Sequence, residues 1–242
     1  MPPDEMRHEV LAAVFQVRRT PHGADRLDVL LWRRGRAPHR DAWALPGGTL
    51  GLAEGLGASI RRQLAQKVDV REVAHLEQLM TSGAPDRHPG RRVVATSYLG
   101  LVPADADPRL PDDTRWHDAD TLPSMAFDHA EIVDAARTRL RAKLSYTNVG
   151  FALATPEFTM SQLCGYYRAA LGHDVSATNL QRVLLRRGQI EPTGGALPSG
   201  SRGGRPAAVF RFRDRRLEVT DEFAVLRPPA TDRTPTNAQP TT

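Results

Sequence analysis

The feature that most limits how this chain can fold is the break at Pro46-Gly47-Gly48 in the stretch DAWALPGGTLGLAEG. Proline and paired glycines end regular structure, so strand and helix must lie on opposite sides of this point. Before it, EVLAAVFQVRR and RLDVLLWRR are rich in Val, Leu and Phe and flank the turn TPHGAD, which predicts an antiparallel pair. After it, the apolar spacing predicts a helix running to about Lys67. Strand-like runs recur at AHLEQLMTS, RRVVATSYLGLV and DTRWHD. From about Asp128 to Leu144, Ile132, Ala135, Ala136 and Leu140 fall at helical spacing. The alternation of strands and helices predicts a mixed α/β domain over residues 1–146.

A second unit is expected over residues 147–227. In EFTMSQ, Thr159 can accept from the Gln162 backbone while Gln162 reaches back, and Phe158 and Leu163 stand at staple positions. That helix should bury Leu163, Tyr167, Ala170 and Leu171 before Gly172 stops it. A turn, GHDV, then leads to a second helix between Ser176 as N-cap and Gly188 as stop. A strand, a Gly/Ser/Pro loop and a returning strand follow in IEPTGGALPSGSRGGRPAAVFRFR. Helix, turn, helix and two-stranded wing is the order of a winged helix-turn-helix. The Pro/Thr-rich tail 228–242 has no periodicity and is expected to be disordered.

Charge supports this division. The whole chain carries a formal +5. From Arg168 to Arg216 ten arginines face only Asp174, Glu191 and Asp214, so 10 − 3 gives +7 in that segment. Such a local positive field attracts polyanions. On the second helix Leu180, Val183 and Leu184 share an apolar face. Asn179, Arg182 and Arg186 fall together on the other, a set able to fork onto adenine and guanine edges. Thr178 and Arg187 adjoin them as further DNA contacts, Arg187 for phosphate. Arg202 and Arg205 at the wing tip suit a minor groove or its phosphates. Each feature alone also fits a solvated basic surface; their order favours double-stranded DNA as partner.

At 242 residues and 40% hydrophobic content the chain can form packed cores. It has no run of eighteen apolar residues and no signal-peptide pattern, so a cytoplasmic protein with no membrane partner is expected. Cys164 is the only cysteine. It can form neither an internal disulfide nor a CxxC metal site, and reads as a small core residue.

From Gly48 onward the chain resembles the Nudix box, G-x5-E-x7-R-E-U-x-E-E-x-G-U with U a bulky aliphatic. Gly48, Glu54, Arg62, Leu64 and Val70 match in register, and WALPGG and RWHDADTLPSMAFDH are similar to the sequence flanking such boxes. The resemblance implies an α/β/α sandwich with a mixed sheet. It also implies that carboxylates at three further positions hold Mg²⁺ or Mn²⁺ in active members. Here Gln63, Gln66 and Lys67 occupy those positions and Asp69 replaces the later glycine. Hard cations need anionic oxygens, and an ammonium repels a dication; a unit-charge pair at 4 Å is worth roughly 4 kcal/mol at an effective dielectric of 20. No metal, no required cofactor and no catalysis are therefore expected, with Glu54 pairing structurally to Arg62.

A degenerate Nudix domain followed by a winged helix resembles the NrtR family of Nudix-related regulators of NAD metabolism, from about Glu9 to Phe212. The resemblance implies a homodimeric repressor of NAD biosynthesis or salvage genes on a palindromic operator. Its effector would be ADP-ribose or a related NAD-derived nucleotide, which releases DNA. Candidates for the effector site are the Pro46-Gly47-Gly48 turn, Arg33, Arg34 or Arg36 on the diphosphate, and Trp43 on adenine. A core role competes for Trp43, and solvation competes for each arginine. Asp128 and His129 match the motif before the last Nudix helix, where His129 could equally cap that helix. Two alternatives remain: a divergent hydrolase using Glu72 or Glu77, and an interaction scaffold.

Overall fold

The computed structural model describes residues 6–197 and 206–221. Arg202, Arg205 and the tail from 228 lie outside the described residues.

β1 (Arg7–Arg19) is the centre of a seven-stranded mixed sheet. It runs parallel to β6 (Val93–Val102) along one edge. Its other edge is shared: its C-terminal half pairs antiparallel with β2 (Asp25–Arg33), and its N-terminal part pairs with β4 (Gly47–Thr49). The short β3 (Trp43–Ala44) and β7 (Thr114–Asp118) pair with β2, and β5 (His75–Ser82) pairs with β6. The two-residue β3 and three-residue β4 carry too little period-2 pattern to be read from sequence.

Alternation along β1 divides the packing. Val10, Ala12 and Val14 face one way, onto Ile60 and Leu64 of α1 (Leu56–Lys67). Leu11, Ala13, Phe15 and Val17 face the other way, onto Ile132, Ala136 and Leu140 of α2 (His129–Tyr146). The result is the expected α/β/α sandwich, because a strand buried on both faces reads as a continuous apolar run.

A 3-10 turn, Val149–Ala152, leads to a second, three-stranded sheet of order β8 (Phe158–Thr159), β10 (Ala207–Phe212), β9 (Ile190–Leu197). β8 was not foreseen. Between these strands lie α3 (Met160–Leu171) and α4 (Ala177–Arg186). The Thr159–Gln162 capping box is formed, and Gly172 closes α3 at φ 76°. Cys164 is buried, as expected of a core residue. One apolar core continues from β1 and α2 through Phe151, Phe158 and Leu163 to Leu184 and Phe212. The two sequence units thus share a core, with α3 packed against β2.

Candidate functional site

The Gly47–Gly48 strand, the end of β2, the last turns of α1 and the loop before α2 converge on a cleft of about 730 Å³. Gly47 lets β4 lie close to β1: a Cβ there would come within 2.1 Å of the Val10 carbonyl oxygen. Gly48 leaves room for the Gln63 amide, whose Nε2 would stand 2.6 Å from a Cβ at that position. Both glycines line the cleft. Pro46 does not; its carbonyl accepts from the Ala12 N–H at 2.9 Å.

The helix frame of the Nudix box is present. Glu54 accepts two bonds from Arg62, Nε to Oε2 at 2.9 Å and Nη2 to Oε1 at 2.5 Å, and one from the Gly51 N–H at 2.7 Å. The Arg62 guanidinium beside it holds its carboxyl down at about 2. Glu54 thus pairs with Arg62, as the resemblance to the Nudix box led one to expect. The positions that would hold a metal carry the wrong chemistry for one. Gln63 donates to the Thr49 carbonyl at 3.4 Å, and Gln66 accepts from Arg62 at 3.4 Å. Lys67 donates to the Gly47 carbonyl at 2.5 Å and lies 4.7 Å from the centroid of the Trp32 ring. Amides and an ammonium do not fit a hard dication. Among the described residues no group of three or more His, Cys, Asp or Glu is placed to hold a metal ion.

Of the three candidate arginines, Arg34 and Arg36 line the cleft. Arg33 does not; it turns to Asp41, 3.8 Å away. Arg34 is also fixed, donating to the Pro38 carbonyl at 3.1 Å and lying 4.7 Å from the Phe127 ring centroid. Trp43 packs edge-on to His117 at 4.2 Å and against the core, which corrects the adenine-stacking expectation in favour of its core alternative. Asp128 is taken up by a two-bond fork from Arg87, at 2.8 and 2.9 Å. His129 lines the cleft, but its Nδ1 accepts from the Leu45 N–H at 3.0 Å and it does not cap α2. Burial first, then repulsion from Arg87, Arg34 and His39, pushes its pKa down to about 3, so the imidazole is neutral.

Sequence reading missed Trp32, Phe127, His88 and Glu9, all on the cleft wall. Phe127, at φ 52°, anchors a cluster on that wall: His88 stacks on it at 5.2 Å, His39 meets it edge-on at 4.7 Å and the Arg34 guanidinium lies 4.7 Å from its centroid. Its place beside Asp128 and His129 was the one available signal.

On the other unit α4 buries Leu180 and Leu184 and leaves Thr178, Asn179, Arg182 and Arg186 exposed. Arg182 Nη2 donates to Asn179 Oδ1 at 2.7 Å, so the two form one polar surface. Arg187 stands apart. It pairs with Asp221 and donates to the Ser145 carbonyl at 2.8 Å, fastening α4 to the end of α2 instead of facing outward for a phosphate.

Fold and cleft together define a Nudix-type domain with a substituted box, joined through a shared core to a winged helix. Residues 8–136 match the NUDIX domain model and residues 150–212 match the NrtR DNA-binding winged helix domain. The chain is 30% identical over 193 residues to the ADPR responsive transcriptional repressor NtrR of Acinetobacter baylyi, covering 77% of this chain and 76% of that protein. It is similar to the crystal structure of Shewanella oneidensis NrtR complexed with a 27mer DNA, at TM-score 0.73 and 27% identity over 85% of this chain and 93% of that one. A partial relative is the ADP-ribose pyrophosphatase of Methanocaldococcus jannaschii, 26% identical over 111 residues, 43% of this chain and 63% of that protein. The chain belongs to the NrtR family.

Proposed function

We propose that this chain is a DNA-binding transcriptional repressor whose Nudix cleft senses ADP-ribose or a related NAD-derived nucleotide, occupancy of the cleft releasing DNA. The observation that carries the reading is the union, on one core, of a cleft in which no described group of carboxylates is placed for a metal and a helix presenting Asn179, Arg182 and Arg186 outward. Such a cleft binds without cutting, and such a helix suits a major groove. Similarity to an ADPR responsive repressor and to a DNA-bound NrtR supports it. The regulated genes would be those of NAD biosynthesis or salvage.

Occupancy is transmitted through β2. Its nine residues, about 30 Å when extended, end at Trp32 and Arg33 beside the cleft, while the strand packs against α3 of the winged helix. In a homodimer the two α4 helices must meet major-groove turns about 34 Å apart on a palindromic operator. A shift that misplaces one helix lowers affinity, and tenfold weaker binding requires only ~1.4 kcal/mol of differential binding.

The competing hydrolase reading needs a group of carboxylates able to share a metal, whereas the cleft is lined by Glu9, 3.8 Å from Arg87, and Asp113, and no described group of three is so placed. Glu77 instead faces Lys143, His75 and Arg139, and Glu72 lines a separate, smaller hollow beside Asp107. The test is a DNA mobility assay on NAD-gene promoter fragments with and without ADP-ribose, beside incubation of the same protein with ADP-ribose and Mg²⁺ or Mn²⁺. Retarded DNA released by ADP-ribose, with the nucleotide recovered intact, is expected. Metal-dependent turnover would overturn the sensor reading.

A further inference from the structure

Lys67 is not simply a lost glutamate. Its stem runs from the last turn of α1 to the cleft, where the Gly47 carbonyl accepts one of its three N–H donors and the Trp32 face lies 4.7 Å away. These contacts fix the ammonium in place while leaving donors for a ligand. Arg34 and Arg36 line the same cleft. Partial burial lowers the Lys67 pKa, Glu9 opposes that, and both arginines add to the lowering, as like charges sharing one space must. Against these three cations the cleft offers Glu9 and Asp113, and 3 − 2 leaves +1. Glu9 also lies 3.8 Å from Arg87. The charged groups lining the cleft thus leave it net positive.

We infer that Lys67 takes the place of the divalent ion as the fixed counter-charge for the effector's diphosphate, so that the nucleotide binds without any metal. The inference rests on the proposed nucleotide-sensing role and adds what holds the phosphates. A tethered ammonium with a backbone acceptor behind it is preorganised, and it supplies directional donors and one positive charge where a dication would supply two. It also cannot polarise a bound water as a dication would, which links retained binding to lost hydrolysis.

Calorimetric titration of the full chain with ADP-ribose, inorganic pyrophosphate and adenosine, each in EDTA and in Mg²⁺, tests this. Equal ADP-ribose affinity in both buffers is expected. Lys67→Met should weaken ADP-ribose and pyrophosphate at least tenfold, about 1.4 kcal/mol, and leave adenosine unchanged. Lys67→Arg should restore most of the loss, and an unchanged melting temperature for Lys67→Met would separate the effect from folding. Loss of binding in EDTA, or parental phosphate affinity in Lys67→Met, overturns the inference while the sensing role stands. Pyrophosphate binding that depends on Lys67 without any ADP-ribose binding supports the inference and sinks the nucleotide reading. No binding of either ligand overturns both.

Discussion

Asp69 occupies the position where the Nudix box has its second glycine, and it does so at φ 51°. That left-handed conformation lets the Val70 N–H return to the Leu64 carbonyl at 3.1 Å and buries Val70 under the end of α1. Aspartate is one of the few side chains that tolerate it, whereas a Cβ without a polar partner costs about 1–2 kcal/mol there. Asp69→Ala should therefore lose about 1 kcal/mol in urea denaturation, while Asp69→Gly stays close to the parent. Equal losses in both would mean that the Asp69–Arg71 ion pair, at 2.9 Å, is what the residue supplies. The box has thus kept its backbone path while changing its charges.

At the scale of elements, Glu77 joins β5 to α2. Lys143 Nζ approaches its carboxylate to 2.7 Å, His75 to 3.1 Å and Arg139 to 3.4 Å. Burial works to raise its pKa, but the His75 and Lys143 hydrogen bonds outweigh this and bring it to about 2, below the ordinary 4.5. The ionised form is thus favoured in the folded state. Its stabilisation is complete above pH 4.5 and disappears as pH falls toward about 2. Glu77→Gln should lower the urea midpoint at pH 7 and flatten its decline between pH 4.5 and 2. An unchanged slope in that window would show that other carboxylates govern acid unfolding. The same contacts take up Glu77, which is not among the residues lining the cleft.

At the scale of the whole molecule, the turn Val149–Ala152, by which the chain enters its second unit, is packed against α3 too tightly for added atoms. A Cβ on Gly150 would lie 2.5 Å from the Tyr167 hydroxyl and 2.8 Å from its ring, and Tyr167 is buried in the shared core. Gly150→Ala should destabilise by about 1–3 kcal/mol, the range for overpacking. The Tyr167 hydroxyl is buried without a hydrogen-bond partner among the described residues, so Tyr167→Phe should be neutral or stabilising. Combining both should recover part of the Gly150→Ala loss, since one of the clashing atoms is gone. Strictly additive effects in the chemical denaturation midpoints would refute the contact.

What the sequence by itself determined is local. Apolar period, turn residues and caps act within a few residues, so β1, β2 and the Thr159–Gln162 box were legible, whereas the glycine stretch read as a turn forms β4 against β1; the Glu54–Arg62 pair, and Gln63, Gln66 and Lys67 where carboxylates were due, came from the likeness to the Nudix box. The direction of a long side chain is set by neighbours distant in sequence, and only the tertiary structure decided it. It turned Arg34 and Arg36 into the cleft and Arg33 out of it, gave Trp43 to the core and Phe127 to the wall, and tied Arg187 to Asp221. It also set Lys67 on the Gly47 carbonyl, twenty positions earlier in the chain. Charge can be counted from composition, but whether a cation is available to a ligand depends on which carbonyls and carboxylates the fold brings to it.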